Sequence, residues 1–82
     1  MTAERLKRGD HVRVRLQESD EWTPALVALA SDTERSSVML MLDGVVRSKH
    51  GLFCNALPLS IDYGKETVTS LFGDSYEIEV AS

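Results

Sequence analysis

His11-Val12-Arg13-Val14-Arg15-Leu16 is the stretch that decides the fold class. Its side chains alternate strictly, with Val12, Val14 and Leu16 on one face and His11, Arg13 and Arg15 on the other. Period two is the signature of a strand with one wet face, whereas a helix repeats about every 3.6 residues. Tyr76-Glu77-Ile78-Glu79-Val80 repeats the pattern near the end of the chain and points Tyr76, Ile78 and Val80 inward. Gly9-Asp10 makes a turn ahead of the first run, and the polar, charged stretch Gln17 to Glu21 reads as the loop after it.

Between these two runs the pattern is less one-sided. Trp22 to Ser31 reads as a second strand that is apolar on both faces: Trp22, Pro24, Leu26, Ala28 and Ala30 on one, Ala25, Val27 and Leu29 on the other. A helix is the rival, because Ala and Leu favour helices. The flanking loop signals favour the strand, and Pro24 then belongs near its start or at an edge. Ser31 to Arg35 is a turn, and Ser36 to Leu42 a third strand with Val38, Leu40 and Leu42 opposite Ser37, Met39 and Met41. Asp43-Gly44 predicts a tight hairpin with Val45-Val46-Arg47-Ser48 as its return strand, since Gly tolerates the positive φ such turns require. Lys49 to Leu59 reads as irregular, with Leu57-Pro58-Leu59 as a short plug. Ser60-Ile61-Asp62 leads to a turn at Tyr63-Gly64-Lys65. Thr67 to Phe72 reads as a strand, with a short helix over Lys65 to Phe72, capped by Gly73, as its rival. The expected core is Val12, Val14, Leu16, Leu26, Leu40, Leu42 and Ile78.

Many short strands separated by turns point to an all-β small barrel, whose closure removes exposed sheet edges. The chain has 82 residues, enough for one small domain with a thin core. With 43% apolar and 27% charged residues it has the composition of a folded protein rather than a disordered one. Cys54 is the single cysteine, which excludes an intramolecular disulfide and zinc sites of the four-cysteine or two-cysteine, two-histidine kind. The longest nearly apolar run, Pro24 to Ala30, falls far short of the roughly 20 residues that span a bilayer. Arg5, Lys7 and Arg8 are followed by no apolar segment, so no signal peptide is expected and the cytoplasm is the expected location. The net charge of −4 is unevenly placed: five bases face two acids in residues 1–16, and one base faces five acids in residues 50–82. That balance argues against strong non-specific nucleic-acid binding, which needs a cationic footprint.

Leu6-Lys7-Arg8-Gly9-Asp10-His11-Val12-Arg13-Val14, an acidic loop, Trp22 and then Ala25-Leu26-Val27 together resemble the opening of Tudor-like or Src-homology-3-type small barrels. In those folds a Gly-Asp or Gly-Glu turn feeds the first strand and an aromatic residue opens the second. Asp43-Gly44 and Leu57-Pro58-Leu59 stand where such barrels carry their third hairpin and a short plug. The resemblance covers roughly residues 6–60 and implies a barrel of about five strands, with residues 61–80 as a C-terminal hairpin extension of one domain spanning 1–82. The small plasmid-borne dihydrofolate reductases open similarly, but their Val-Gln-Ile-Tyr signature has no match. The Ala-Leu-Tyr-Asp-Tyr run of peptide-binding Src-homology-3 domains is also missing. No family's functional residues carry over.

Chemistry-bearing patterns are sparse. His50 and Cys54 are four residues apart, a helical ligand spacing, but nothing predicts a helix there and no second pair of ligands lies near. Cys54 beside Phe53 reads as a small hydrophobe rather than a nucleophile. No phosphate-cradling glycine loop and no nucleotide fingerprint occurs, so no catalytic residue, metal ligand or cofactor is assigned. Arg13 and Arg15 share a strand face, and Arg47 and Lys49 do likewise if their strand persists to Lys49. If those strands were adjacent, the cations could receive a phosphate or carboxylate, the alternative being a solvated face paired with Glu77 and Glu79. Trp22, next to Asp20 and Glu21, could join a cage for a cationic group. Val27, Leu29, Met39 and Met41 form the expected outward apolar set, to be covered either by the C-terminal hairpin or by a second copy of the chain. The resulting expectation is a non-catalytic binding or assembly module that self-associates, most simply as a dimer, and takes a protein, peptide or small anionic ligand. The alternatives are an oligomeric enzyme with its site at the subunit seam and a weak nucleic-acid binder using Arg13, Arg15 and Arg47.

Overall fold

The structure, a computed structural model, describes residues 5–19, 21–31 and 33–81. Among them there is no helix; the elements are β1 (His11–Leu16), β2 (Thr23–Ala30), β3 (Arg35–Leu42), β4 (Val46–Ser48), β5 (Gly51–Phe53), β6 (Ala56–Asp62), β7 (Thr67–Ser70) and β8 (Tyr76–Val80). Six of them form one antiparallel sheet in the order β7-β6-β3-β2-β1-β8, while β4 and β5 pair as a separate hairpin. The two ends of the sheet meet at a bridge between Thr69 and Ser75, so the sheet curls into a nearly closed small barrel, consistent at a coarse level with a Src-homology-3-like fold. β7 lies on β6 and β8 lies on β1, so the last two strands complete the barrel wall.

Alternation places the core as the strands require. Val12 and Val14 of β1, Val38 and Leu40 of β3, and Tyr76 and Ile78 of β8 all point inward and are buried. Leu16 and Leu42 are partly buried against that cluster. Val80, expected inward, is exposed where β8 runs out.

Three further expectations need correction. The first concerns β2, whose faces are both apolar. Ala25 and Val27 fill the interior, and Leu26 points out, 38% exposed, where the reverse phase is expected from sequence. Period two cannot choose between two apolar faces; the partner strand's phase decides, here through the pairing of Val27 with Leu40. The register then slips between Val27 and Leu29, with Ala28 as the extra residue of a β-bulge. Beyond the bulge Leu29 faces out beside Met39, and Ala30 lies opposite the buried Val38.

The second concerns Asp43-Gly44, which does not join β3 to a return strand. The Asp43 N–H donates to Pro24 O and the Thr23 hydroxyl donates to Val45 O, tying this turn to the start of β2. Both edges of β3 are taken, one by β2 and one by β6, so β4 turns to β5 instead.

The third concerns β6, which replaces the expected irregular stretch and plug. It sends Leu57, Leu59 and Ile61 into the core, more apolar surface than Val46 of β4 alone could bury. Pro58 is tolerated for a geometric reason. Leu42 N–H donates to Asn55 O, so hydrogen-bonded pairs on the β3 side fall at Leu40/Leu57 and Val38/Leu59. Pro58, opposite Met39, directs its nitrogen away from β3, and β7 ends at Ser70, one position before it would face Pro58.

Candidate functional site

The polar outer face of β1 is already partnered. Register sets Arg13 opposite Glu79 and Arg15 opposite Glu77. Arg13 donates to Glu79 through Nε and Nη2, and Arg15 donates to Glu77 Oε2 through Nε at 3.0 Å and Nη2 at 2.8 Å. Trp22, half-buried just ahead of β2, lies under both guanidinium groups, with its ring centroid 4.5 Å from Arg13 Cζ and 4.4 Å from Arg15 Cζ. The cations at this tryptophan are thus the chain's own. Asp20, the other half of the suggested cage, lies outside the described residues. The structure brings Arg13, Arg15 and Trp22 together but leaves Arg47 out of the group, because β4 is not a strand of the main sheet. Nucleic-acid or anion binding by an Arg13 and Arg15 stripe would have to displace Glu79 and Glu77 first.

Arg47 instead lines a cleft of about 460 Å³ with Leu16, Gln17, Glu18, Ser19, Lys49 and Ser75. Its walls come from the end of β1 with the loop after it, from β4, and from the residue before β8. Two buried polar side chains hold the β4 wall. The Tyr76 hydroxyl donates to Arg47 O at 3.0 Å, and Asp74 Oδ2 accepts from Lys49 N at 3.4 Å. Asp74 is fully buried, and among the described residues its Oδ1 has no hydrogen-bond partner. Burial, with a smaller contribution from the nearby Asp74 carboxylate, pushes the Tyr76 hydroxyl up from 10.0 to about 12. Glu18 sits in the cleft rim at φ 72, a left-handed conformation uncommon outside glycine.

The third surface is the outer side of β2, β3 and β6. Pairing lines up two apolar rows across the strands: Leu29, Met39 and Pro58, and one step along, Leu26, Met41 and Ala56. Leu71, past the end of β7, extends the first row, and together with Leu29, Met39 and Pro58 it borders a groove of about 200 Å³. Leu29 is 61% exposed, Met41 48% and Leu71 80%, so the β7–β8 turn leaves this face open to water. Of the four residues expected here from sequence, Leu29, Met39 and Met41 belong to it, and Val27 is core.

The remaining candidates stay apart. Cys54 is exposed, and the His50 ring meets Phe72 edge-on at 5.8 Å. Among the described residues no three His, Cys, Asp or Glu side chains converge as a metal site would require. Tyr76 and Asp74 went unread as site residues, since a turn such as Gly73-Asp74-Ser75 gives no sign that its carboxylate is buried. Compared with known proteins, the chain matches no family model, no curated protein and no solved structure.

Proposed function

We propose that this chain is a non-catalytic binding and assembly module, a Tudor-like barrel of the cytoplasm, that self-associates through the outer face of β2, β3 and β6. The observation that carries the reading is the pair of cross-strand apolar rows set around Leu29, Met39 and Met41, on the far side of a sheet whose inner face is already filled. Antiparallel sheets with one wet face normally show polar residues there, and sheets apolar on both sides are covered on both. A second copy of the same chain offers the same rows and closes them around a two-fold axis. A standard interface removes about 800 Å² per partner, a modest share of the 5279 Å² this small domain exposes. Methionine repacks readily, which suits Met39 and Met41 to a seam formed after folding.

Light scattering at micromolar concentration tests the reading. The wild type is expected at twice the chain mass, and Met41→Glu at the chain mass with an unchanged circular dichroism spectrum. A wild type that stays monomeric across the concentration range overturns it.

A further inference from the structure

We propose that the cleft between the β1–β2 loop and β4 binds a small hydroxylated phosphate monoester, with the phosphate on Arg47 and Lys49 and a ligand hydroxyl on Glu18. The cleft shares no residue with the apolar face, so the proposal stands apart from self-association.

The case begins with how the cations are held. β4 is three residues long and lies outside the six-stranded sheet, so no ladder of that sheet fixes its backbone. Two buried polar groups do so instead, and they hold the backbones of the two residues whose side chains line the cleft: Tyr76 at Arg47 O and Asp74 at Lys49 N. Asp74 is held there although it is fully buried and, among the described residues, one of its oxygens lacks a partner, an arrangement that disfavours folding and calls for another reason to exist. Fixing both attachment points lowers the ordering cost of binding, which is what a preformed site requires.

The cleft is also a place where the ion pairs among the described residues leave positive charge over. The described ion pairs join Arg13 to Glu79, Arg15 to Glu77 and Arg35 to Asp62; none involves Arg47 or Lys49. An arginine fork and a lysine point charge together match a phosphate dianion, which has three acceptor oxygens. The Ser19 and Ser75 hydroxyls and the Gln17 amide add donors to the lining, and Leu16 adds an apolar patch for a carbon skeleton. Among the described residues, Glu18 is the one carboxylate in that lining. It repels a bare anion and accepts from a hydroxyl, so the cleft favours an anion that carries a hydroxyl. A volume of about 460 Å³ lies within the range for small-molecule sites. In a chain of net charge −4, long-range attraction for an anion is absent, so binding depends on these two side chains.

The test is a ¹H–¹⁵N nuclear magnetic resonance titration of the full chain at constant ionic strength with glycerol 3-phosphate, inorganic phosphate and glycerol. Glycerol 3-phosphate is expected to shift the amides of residues 17–19 and 47–49 saturably, inorganic phosphate to do so more weakly, and glycerol not at all. Arg47→Gln and Lys49→Gln should each weaken glycerol 3-phosphate by about tenfold, the scale of one lost charge-assisted contact. Arg13→Gln should leave it unchanged. Tyr76→Phe keeps both cations but frees the β4 backbone, and should weaken binding without moving the shifts elsewhere. Glu18→Gln should narrow the gap between the ester and inorganic phosphate. Shifts that never saturate, that centre on Arg13 and Trp22, or that survive the Arg47→Gln/Lys49→Gln double variant overturn the site. An ester that binds no better than inorganic phosphate overturns the ligand class.

Discussion

The outer side of β1 and β8 and the outer side of β2, β3 and β6 belong to one sheet and meet the same solvent, yet they are finished differently. On β1 and β8 the charged side chains have an internal answer: Arg13 with Glu79, Arg15 with Glu77, and Trp22 beneath both cations. On β2, β3 and β6 the rows through Leu29 and Met41 have none, because Leu71 reaches only one end of them. A cationic stripe in the sequence can therefore be a closed surface, and an unremarkable run of Ala, Leu and Met an open one. The boundary falls between neighbouring residues, where His11 of β1 pairs with Leu26 of β2.

The comparison breaks most visibly on β2 itself, where Leu26 and Val27 are sequence neighbours on opposite faces. Val27→Asp places an unpaired charge in the barrel and should remove about 3–5 kcal/mol of stability, enough to unfold much of a small domain. Leu26→Asp should change the unfolding free energy of the monomer by about 0.5 kcal/mol or less. Urea melts of the two variants at low concentration check the pair; equal losses would mean that the assignment of faces is wrong.

On β8 the same contrast separates Tyr76, buried, from Glu77, which faces Arg15. The native state holds the Tyr76 proton more tightly than the unfolded chain, about 12 against 10.0. The stability this contributes is complete below pH 10 and declines as pH rises toward 12, by roughly 2 kcal/mol over the window. Tyr76→Phe should flatten that part of the curve, read from urea melts at stepped alkaline pH.

Dissociation of the proposed dimer sharpens the apolar side. Leu29→Ser should raise its dissociation constant by at least about tenfold, roughly 1.4 kcal/mol, as read by sedimentation velocity. Arg13→Gln, on the finished side, should leave that constant unchanged. The smallest effect belongs to the ladder. A double-mutant cycle of Arg13→Gln and Glu79→Gln should give a coupling of about 0.2–1 kcal/mol that fades in high salt, since both side chains are about half exposed.

Much of this architecture is legible in the sequence where one face alone is apolar. β1 and β8 run over the residues their alternation marks, and Pro24 sits near the start of β2 as its chemistry demands. Legibility fails where both faces are apolar, as in β2, because the inward phase is then set by a partner strand far along the chain. It fails again at Leu57-Pro58-Leu59, since a proline is harmless in a strand only when its nitrogen has no partner to lose, and register alone decides that. The cleft was half visible: Arg47 and Lys49 both line it, although β4 ends at Ser48 and Lys49 stands in the turn after it. Their separation from Arg13 and Arg15, and the support from Tyr76 and Asp74, depend on where β4 lands in three dimensions.

Ala28 gives the molecule a tolerance of chain length that its composition conceals. Upstream of this residue odd positions of β2 face the barrel; downstream they face the solvent. Deleting Ala28 would set Leu29 directly after Val27, where plain alternation already turns it to the solvent opposite Met39 and leaves Ala30 opposite Val38. The apolar row would keep its β2 member, and the strand would lose only the local bend and added twist of the bulge. Two versions of this chain differing by that one alanine would present the same outer faces, so the bulge is a place where such a barrel absorbs the gain or loss of a single codon without turning its apolar row inward.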